Sequence, residues 1–411
     1  MHVLILNQTF HPDVAATAQH MWDLARHLDA AGHRVTVVTS RTLYGTSELI
    51  DKAVEIYGNI TVHRVTQTSF GKRHNLGRMA DFLSFYLTAF WKMMTLPAPD
   101  VILALTSPPM IATMAVVVRS LRSATTGRRI ALVNHVMDLY PDAAVAMGVL
   151  KPRSLITRIM AWLTRRTFHS CDALIALGHD MKQRIIDTYG VAADRIHIIQ
   201  PWADSREIYP TPRDTNPLRK SLGLGDIFIA MYSGNLGKAH DVDTLIAAVR
   251  QSRDRADLRW CFTGGGAGMK QLRAAADTEG WPNITFLPYQ PREALNDLLN
   301  LADVHLLSQL PAFTGIVVPS KLFGIMAAGK PTLMVGPSDA EAARILMESG
   351  AGAIVSTGDV HVHSLLSELD RLMSNPSHRS AMGSDARRVL ESTFDQSIQC
   401  RRLEAVLAGF A

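Results

Sequence analysis

Cysteine is scarce in this 411-residue chain, and long apolar runs are missing altogether; each shortage closes off a class of protein. The three cysteines, Cys171, Cys261 and Cys400, stand far apart, are odd in number and include no C-x-x-C pair. That excludes a disulfide framework and a cysteine-built zinc site, and it fits a reducing, cytoplasmic setting. No apolar run reaches the roughly 18 residues needed to cross a bilayer. The opening stretch, apolar only from His2 to Leu6, lacks the basic and long apolar regions of a secretion signal, so export is not expected. Solenoid repeats, low-complexity tracts, the G-x-x-x-x-G-K-[ST] phosphate loop and any nucleic-acid motif are absent too.

What is present is apolar and modestly basic: 47% hydrophobic residues and a net charge of +5. Lys72, Arg73 and Arg78 precede an apolar, aromatic run from Phe82 to Leu96. Arg153, Arg158, Arg165 and Arg166 punctuate a second one around Ile159, Trp162 and Leu163. Two readings stand side by side: amphipathic helices resting on an anionic membrane surface, or core helices with solvated basic edges.

Short apolar runs alternate with helix-length segments, the signature of βαβ units and a parallel sheet. Strands are expected at Val3–Leu6, Val35–Val38, Val101–Leu105, Ile130–Val133, Ala173–Leu177 and Ile196–Ile199. A proline-rich polar linker, Tyr209–Pro217, precedes a second series at Phe228–Tyr232, Trp260–Thr263, Ile284–Leu287, Val304–Leu307 and Thr332–Val335. Between the first two strands a helix carries Met21, Leu24, Ala25 and Leu28, with Thr17 able to cap it and Gly32 to stop it. This is an α/β chain of two Rossmann-like, doubly wound domains, 1–205 and 206–395, expected to face each other across a cleft. The last helix, 396–411, is expected to pack back on the first domain. Ligands of such sheets sit at the carboxyl ends of the strands.

Three motifs fall at those ends. Val317–Pro331, VVPSKLFGIMAAGKP, reads as a helix with Ser320 as N-cap, Lys321 in its first turn and Gly329 as its stop, an arrangement suited to an anion. Gly234, Asn235, Gly237 and Lys238 follow one strand, and Gly264, Gly265 and Gly266 follow the next. Glycines there permit close backbone approach, although turns use them for structure alone more often. Asp241 and Asp243 spell a D-x-D triplet whose place at a helix start argues for capping rather than metal, so no metal is expected. In the first half, Asn134, His135 and Asp138 end a strand, with His135 and Asp138 as candidate bases and His11 a weaker one; a strand-end Asp also serves simply as a turn cap.

Taken together, YSGNLGKAHDVDTLIAAV, FTGGG, VVPSKLFGIMAAGKP, DLYPDAAVAMGVL and the Pro201-Trp202-x-Asp204 passage resemble glycosyltransferase family 4, proteins of the two-domain GT-B fold. The likeness spans nearly the whole chain and is greatest to bacterial transferases of amino-deoxy sugars, such as N-acetyl-fucosamine, in O-antigen or capsule assembly. The resemblance implies transfer from a nucleotide diphosphate sugar, commonly a UDP-sugar, held by the C-terminal domain, to a lipid-linked or saccharide acceptor held by the N-terminal one. It implies no metal and no cofactor, since the nucleotide-sugar is a substrate. Its donor-site positions fall on Gly234, Asn235, Gly237, Lys238, Gly264, Gly265, Ser320 and Lys321, with Asn235 in place of the arginine of many relatives and Lys238 two residues before their lysine, near which His240 falls; Asp138 matches its catalytic motif, with His135 the other candidate base. The basic amphipathic segments add peripheral contact with the cytoplasmic face of the inner membrane.

One departure matters. The family's two glutamates, eight residues apart, are replaced by Ile316 and Gly324. A lost charged hydrogen bond to ribose would weaken donor binding by about 1.5 to 3 kcal/mol unless replaced, and Glu341 is a possible substitute. The loss also admits a degenerate nucleotide-sugar-binding subunit; a nucleotide-sugar 2-epimerase is a further alternative on this fold.

Overall fold

The computed structural model describes residues 1–43, 48–68, 70, 75–356 and 361–411. Lys72 and Arg73, named above, lie outside them. The chain divides into two compact units, Met1–Gln200 with Gln399–Ala411, and Pro201–Ile398.

The first unit is built on β1 (His2–Leu6), β2 (Arg34–Ser40), β3 (Val54–Tyr57), β4 (Ile60–Val65), β5 (Val101–Ala104), β6 (Ala131–His135), β7 (Ala173–Ala176) and β8 (Ile196–Ile198), in the order β3-β4-β2-β1-β5-β6-β7-β8. All neighbours run parallel except β3 and β4. Strands β1, β5, β6 and β7 are buried along their whole length and apolar except for His2, Asn134 and His135 at strand ends, as strands covered on both faces tend to be. The six expected strands are all present. The β3–β4 hairpin is additional, and its signal is in the chain: Tyr57 and Ile60 are separated by Gly58-Asn59. Gly58 has φ +60°, and a Cβ there would lie 2.5 Å from Asp29 Oδ2.

The helix Ala16–Ala30 forms, but Thr17 does not cap it. Its hydroxyl is bonded to Thr9 Oγ1 at 3.1 Å, while Asp13 Oδ1 accepts from Ala15 N at 3.0 Å. The helix Gln396–Ala408 starts in the second unit and from Gln399 onward belongs to the first, where Glu404 accepts from His27 and His33 Nε2, each at 2.8 Å.

The second unit holds β9 (Phe228–Ser233), β10 (Leu258–Thr263), β11 (Ile284–Leu287), β12 (Val304–Ser308), β13 (Thr332–Val335) and β14 (Gly352–Val355), all parallel, in the order β11-β10-β9-β12-β13-β14. Tyr232, Trp260, Phe262, Leu306 and Leu333 make its core with Leu245, Val249, Leu272 and Leu365 from the covering helices. β14 escapes the sequence reading because it is four residues long and begins on glycine. Winding reverses between β1 and β5 in one sheet and between β9 and β12 in the other, so the loops leaving those strands part and expose the sheet's carboxyl edge.

Candidate active site

In the second unit the two glycine clusters close on each other. Gly234 N donates to Thr263 O at 2.9 Å, Leu236 N to Gly265 O at 2.7 Å and Gly268 N to Leu236 O at 2.9 Å. Gly264 has φ +117°, and a Cβ on it would fall 2.2 Å from Gly234 O; Gly266, at φ +108°, would put one 2.4 Å from Leu236 O. These glycines are therefore demanded by the approach of one loop to the other. Gly265 differs, since nothing lies within 4 Å of its Cβ position. Asn235 and Lys238 are exposed on the same loop, and a Cβ on Gly237 would lie 3.0 Å from Asn235 Nδ2.

Lys321 reaches this junction from a different element. It begins the helix Lys321–Ala327, and its ammonium donates to the Tyr232 hydroxyl at 2.5 Å, 3.8 Å from the ring centroid. It also lies 3.4 Å from where a Gly234 Cβ would be. Burial lowers its pKa to about 7, with no carboxylate among the described residues to hold the charge in place. The Tyr232 hydroxyl in turn donates to Asn235 O at 3.0 Å. His240 joins the far side of the winding reversal, its Nδ1 2.6 Å from Ser308 O and its ring edge-on to Tyr232. Burial, then Lys321, pushes its pKa down to about 4, so the imidazole is neutral at pH 7.

Ser320 occupies the N-cap position, but in helical conformation (φ −62°, ψ −23°) and without a capping hydrogen bond, contrary to the sequence reading. Asp241 does cap, accepting from Thr244 N at 3.1 Å and Thr244 Oγ1 at 2.7 Å. Among the described residues no group of three or more His, Cys, Asp or Glu side chains is placed to hold a metal. Glu341 is buried and bound to Arg344, Oε1 to Nη2 at 2.6 Å. The two positions without glutamate are apolar: Ile316 is buried, and a Cβ on Gly324 would touch Leu299 Cδ1 at 3.4 Å and Ile208 Cδ1 at 3.9 Å.

Gln309 belongs to none of the sequence motifs. It follows β12 at the reversal, is 2% exposed, and neither Nε2 nor Oε1 has a partner among the described residues. The available signal was a polar side chain immediately after a buried strand at the switch point.

In the first unit, Asn134 at the end of β6 donates to Ala104 O at 2.8 Å, tying β6 to β5. Asp138 N donates to Thr106 Oγ1 at 3.2 Å, and burial pushes the carboxyl up to about 6. The residue lines a cavity of about 30 Å³ with Thr106, Asn134, Tyr140 and Thr164. A carboxylate with that pKa accepts a proton readily near neutrality. His135 is 1% exposed, its two ring nitrogens have no partner among the described residues, and burial, then His20, lowers it to about 3. His11 is stacked on Trp22 at 4.4 Å.

Residues 17–207 match Glycosyltransferase Family 4 and residues 214–389 match Glycosyl transferases group 1. The chain is 25% identical over 402 residues to the putative colanic acid biosynthesis glycosyl transferase WcaI of Escherichia coli (strain K12), covering 95% of this chain and 97% of that protein. Among solved structures it resembles sucrose-phosphate synthase of Thermosynechococcus elongatus (TM-score 0.77, 14% identity) and HepE of Anabaena in complex with UDP-glucose (TM-score 0.72, 19% identity), each covered in full along with this chain. With both halves matched in sequence and both sheets matched in fold, the chain belongs to glycosyltransferase family 4 and is a glycosyltransferase of the GT-B fold.

Proposed function

We propose that the second unit binds a nucleotide diphosphate sugar, preferentially a UDP-sugar, and that its glycosyl group passes to a lipid-linked or saccharide acceptor in cell-surface polysaccharide assembly. The observation that carries this is Lys321: a buried ammonium without a carboxylate, wedged between Tyr232 and the glycine loop. As the glycosidic C–O bond breaks, its electron pair stays on the departing diphosphate. An anion beside Lys321 raises its pKa, so the lysine is protonated where negative charge accumulates, in a site needing little reorganisation. Lys238 adds a second cation at the loop. On the acceptor side Asp138 positions the attacking hydroxyl and takes its proton, with His135 as the neighbouring candidate. HepE holding UDP-glucose and the colanic acid role in WcaI's name support this reading. Purified protein incubated with UDP-, GDP- and dTDP-linked sugars is expected to release UDP in preference; no nucleotide release with any donor and acceptor overturns the assignment.

The acceptor's lipid is read from the first unit's surface. The helix Asn75–Thr95 buries Phe85, Ala89 and Met93 yet exposes Leu83, Leu87 and Trp91. The helix Leu155–Ser170 exposes Leu155, Ile156, Ile159 and Trp162, with the Arg166 guanidinium 5.5 Å from the Trp162 ring centroid. Between them, packed on both, the helix Ile111–Thr126 exposes Val117 and Leu121. Core packing explains the inward faces only. We assign the outward face, fringed by exposed Arg153, Arg158 and Arg165, to an anionic lipid surface. No helix among the described residues is long and apolar enough to cross a membrane. Co-sedimentation with phosphatidylglycerol but not phosphatidylcholine vesicles, abolished by Trp91→Ser with Trp162→Ser, is the expected result; equal recovery with both lipids removes the assignment.

A further inference from the structure

We propose that the second unit carries another anion site, at the opposite edge of its sheet, which takes a phosphate-bearing small molecule. The glycine loops follow the carboxyl ends of β9 and β10. Asp303 and Pro331 immediately precede β12 and β13, so a pocket built on them lies at the amino ends. In a parallel sheet these edges are separated by the strand length, about 15 Å for strands of this size.

The pocket there has a volume of about 510 Å³ and is lined by Lys330, Arg379, Ser380, Ser384 and Arg388 along with Asp303. Its charges do not balance. Arg213 Nε lies 3.6 Å from Asp303 Oδ1 and Arg219 Nη2 3.4 Å from Oδ2, and Oδ2 also accepts from Ile229 N at 2.9 Å. Asp303 is thereby spent on the inner pair, while the other lining carboxylate, Glu391, is held by Arg387 at 2.7 Å and the lining Arg388 by Asp385 at 2.6 Å. Lys330 faces the same carboxylate and both arginines, and Arg379 faces the carboxylate and Arg213; Asp226 acts on Arg219. Arg379 donates to Leu372 O at 2.6 Å and lies over the Phe228 ring, neither of which carries charge. The Lys330 ammonium has no hydrogen-bond or ion-pair partner among the described residues. Burial, followed by these cations, holds both groups below their ordinary pKa values.

Four cations gather on Asp303, and the two that it does not neutralise, Lys330 and Arg379, line the void and form a receptor for a dianion. A phosphomonoester or inorganic phosphate supplies two charges and several acceptor oxygens, and the Ser380 hydroxyl offers a further donor. Arg387 is not part of the receptor, since its guanidinium is spent on Ile208 O, Ala327 O, Ser205 O and Glu391. Nor does the site serve the transfer reaction, whose second-unit groups follow the strands' carboxyl ends.

The test is titration of the full chain with inorganic phosphate, and separately with glucose 6-phosphate, at constant ionic strength and with saturating UDP present, read by melting temperature and calorimetry. A saturable rise in Tm is expected. Lys330→Gln and Ser380→Asp should each weaken the apparent affinity about ten-fold or more, while Lys321→Met leaves it unchanged. Tighter binding of glucose 6-phosphate identifies a sugar phosphate as the ligand, and equal binding identifies the phosphate group alone. A response no larger than that to chloride, equal affinity in the Ser380→Asp protein, or a response that occurs only when UDP is left out overturns the proposal.

Discussion

The two units bury opposite charges for opposite purposes. At the glycine loops burial lowers a lysine's pKa from an ordinary 10.5 to about 7; at the end of β6 burial raises an aspartic acid's from 3.8 to about 6. Neither group has, among the described residues, a counter-ion that would hold its charge. The lesson is that each lacks a partner of the kind a substrate brings: the cation lacks an anion and the acid lacks a hydroxyl proton.

Replacing Lys321 by Met tests the cation half most severely. Loss of one preorganised charge at a leaving group is expected to lower kcat/KM about 10³-fold, and Lys321→Arg, which keeps the charge but replaces a compact ammonium by a larger planar fork, should restore it only in part. Unchanged turnover in the Met variant would dissolve the comparison. Asp138→Asn is the matching cut on the acid side, expected at about 10²-fold in kcat. The rise in wild-type rate through pH 6 should vanish with it; a surviving acid limb would assign that titration elsewhere.

Next in size is a steric effect. Gly264→Ala forces a methyl group against Gly234 O at a backbone angle alanine avoids, and should cost about 2 kcal/mol or more in urea unfolding, whereas Gly265→Ala meets open space and should cost under about 1 kcal/mol. Equal losses would mean that the loops do not interlock.

The pH dependence of donor binding follows. Lys321 is protonated below about 7, and a bound diphosphate keeps it so, hence UDP affinity should fall by up to about ten-fold per pH unit above 7, with proton uptake seen by calorimetry in two buffers. The sign in stability is the reverse: the unfolded chain holds this proton up to the ordinary lysine value, so Lys321's contribution to stability increases as pH rises from 7 towards 10.5. Asp138 contributes a decrease as pH rises from 3.8 to about 6, because there the folded state holds the proton. The smallest effect is Gly324→Ala, where a helix interior has room for a methyl group; a gain of about 0.5 to 1 kcal/mol is expected.

The central strands were legible because burial on both faces leaves a continuous apolar run. β3 was not: it lies at an edge, half exposed, and carries Glu55 beside its apolar residues. At the site, Lys321 could be picked out by type, but its partner Tyr232 lies 89 residues away and only the fold brings them together. The glycine clusters were found for an incomplete reason. A chain read locally suggests room for a ligand, while Gly264 and Gly266 are required first by the neighbouring loop. Ser320 had the right chemistry for a cap and the wrong backbone angles. The cation cluster around Asp303 draws on Arg213, Arg219, Lys330 and Arg379, separated by more than a hundred residues along the chain, so no motif marks it.

The helix at the end of the chain sets an order of events during synthesis. Cys400, Leu403 and Leu407 are fully buried in the unit that contains the first 200 residues. A ribosome therefore delivers everything in the second unit before it delivers the last piece of the first. Until Glu404 emerges, His27 and His33 have no carboxylate to bind, and the nascent amino-terminal portion keeps an uncovered apolar seam that chaperones can hold.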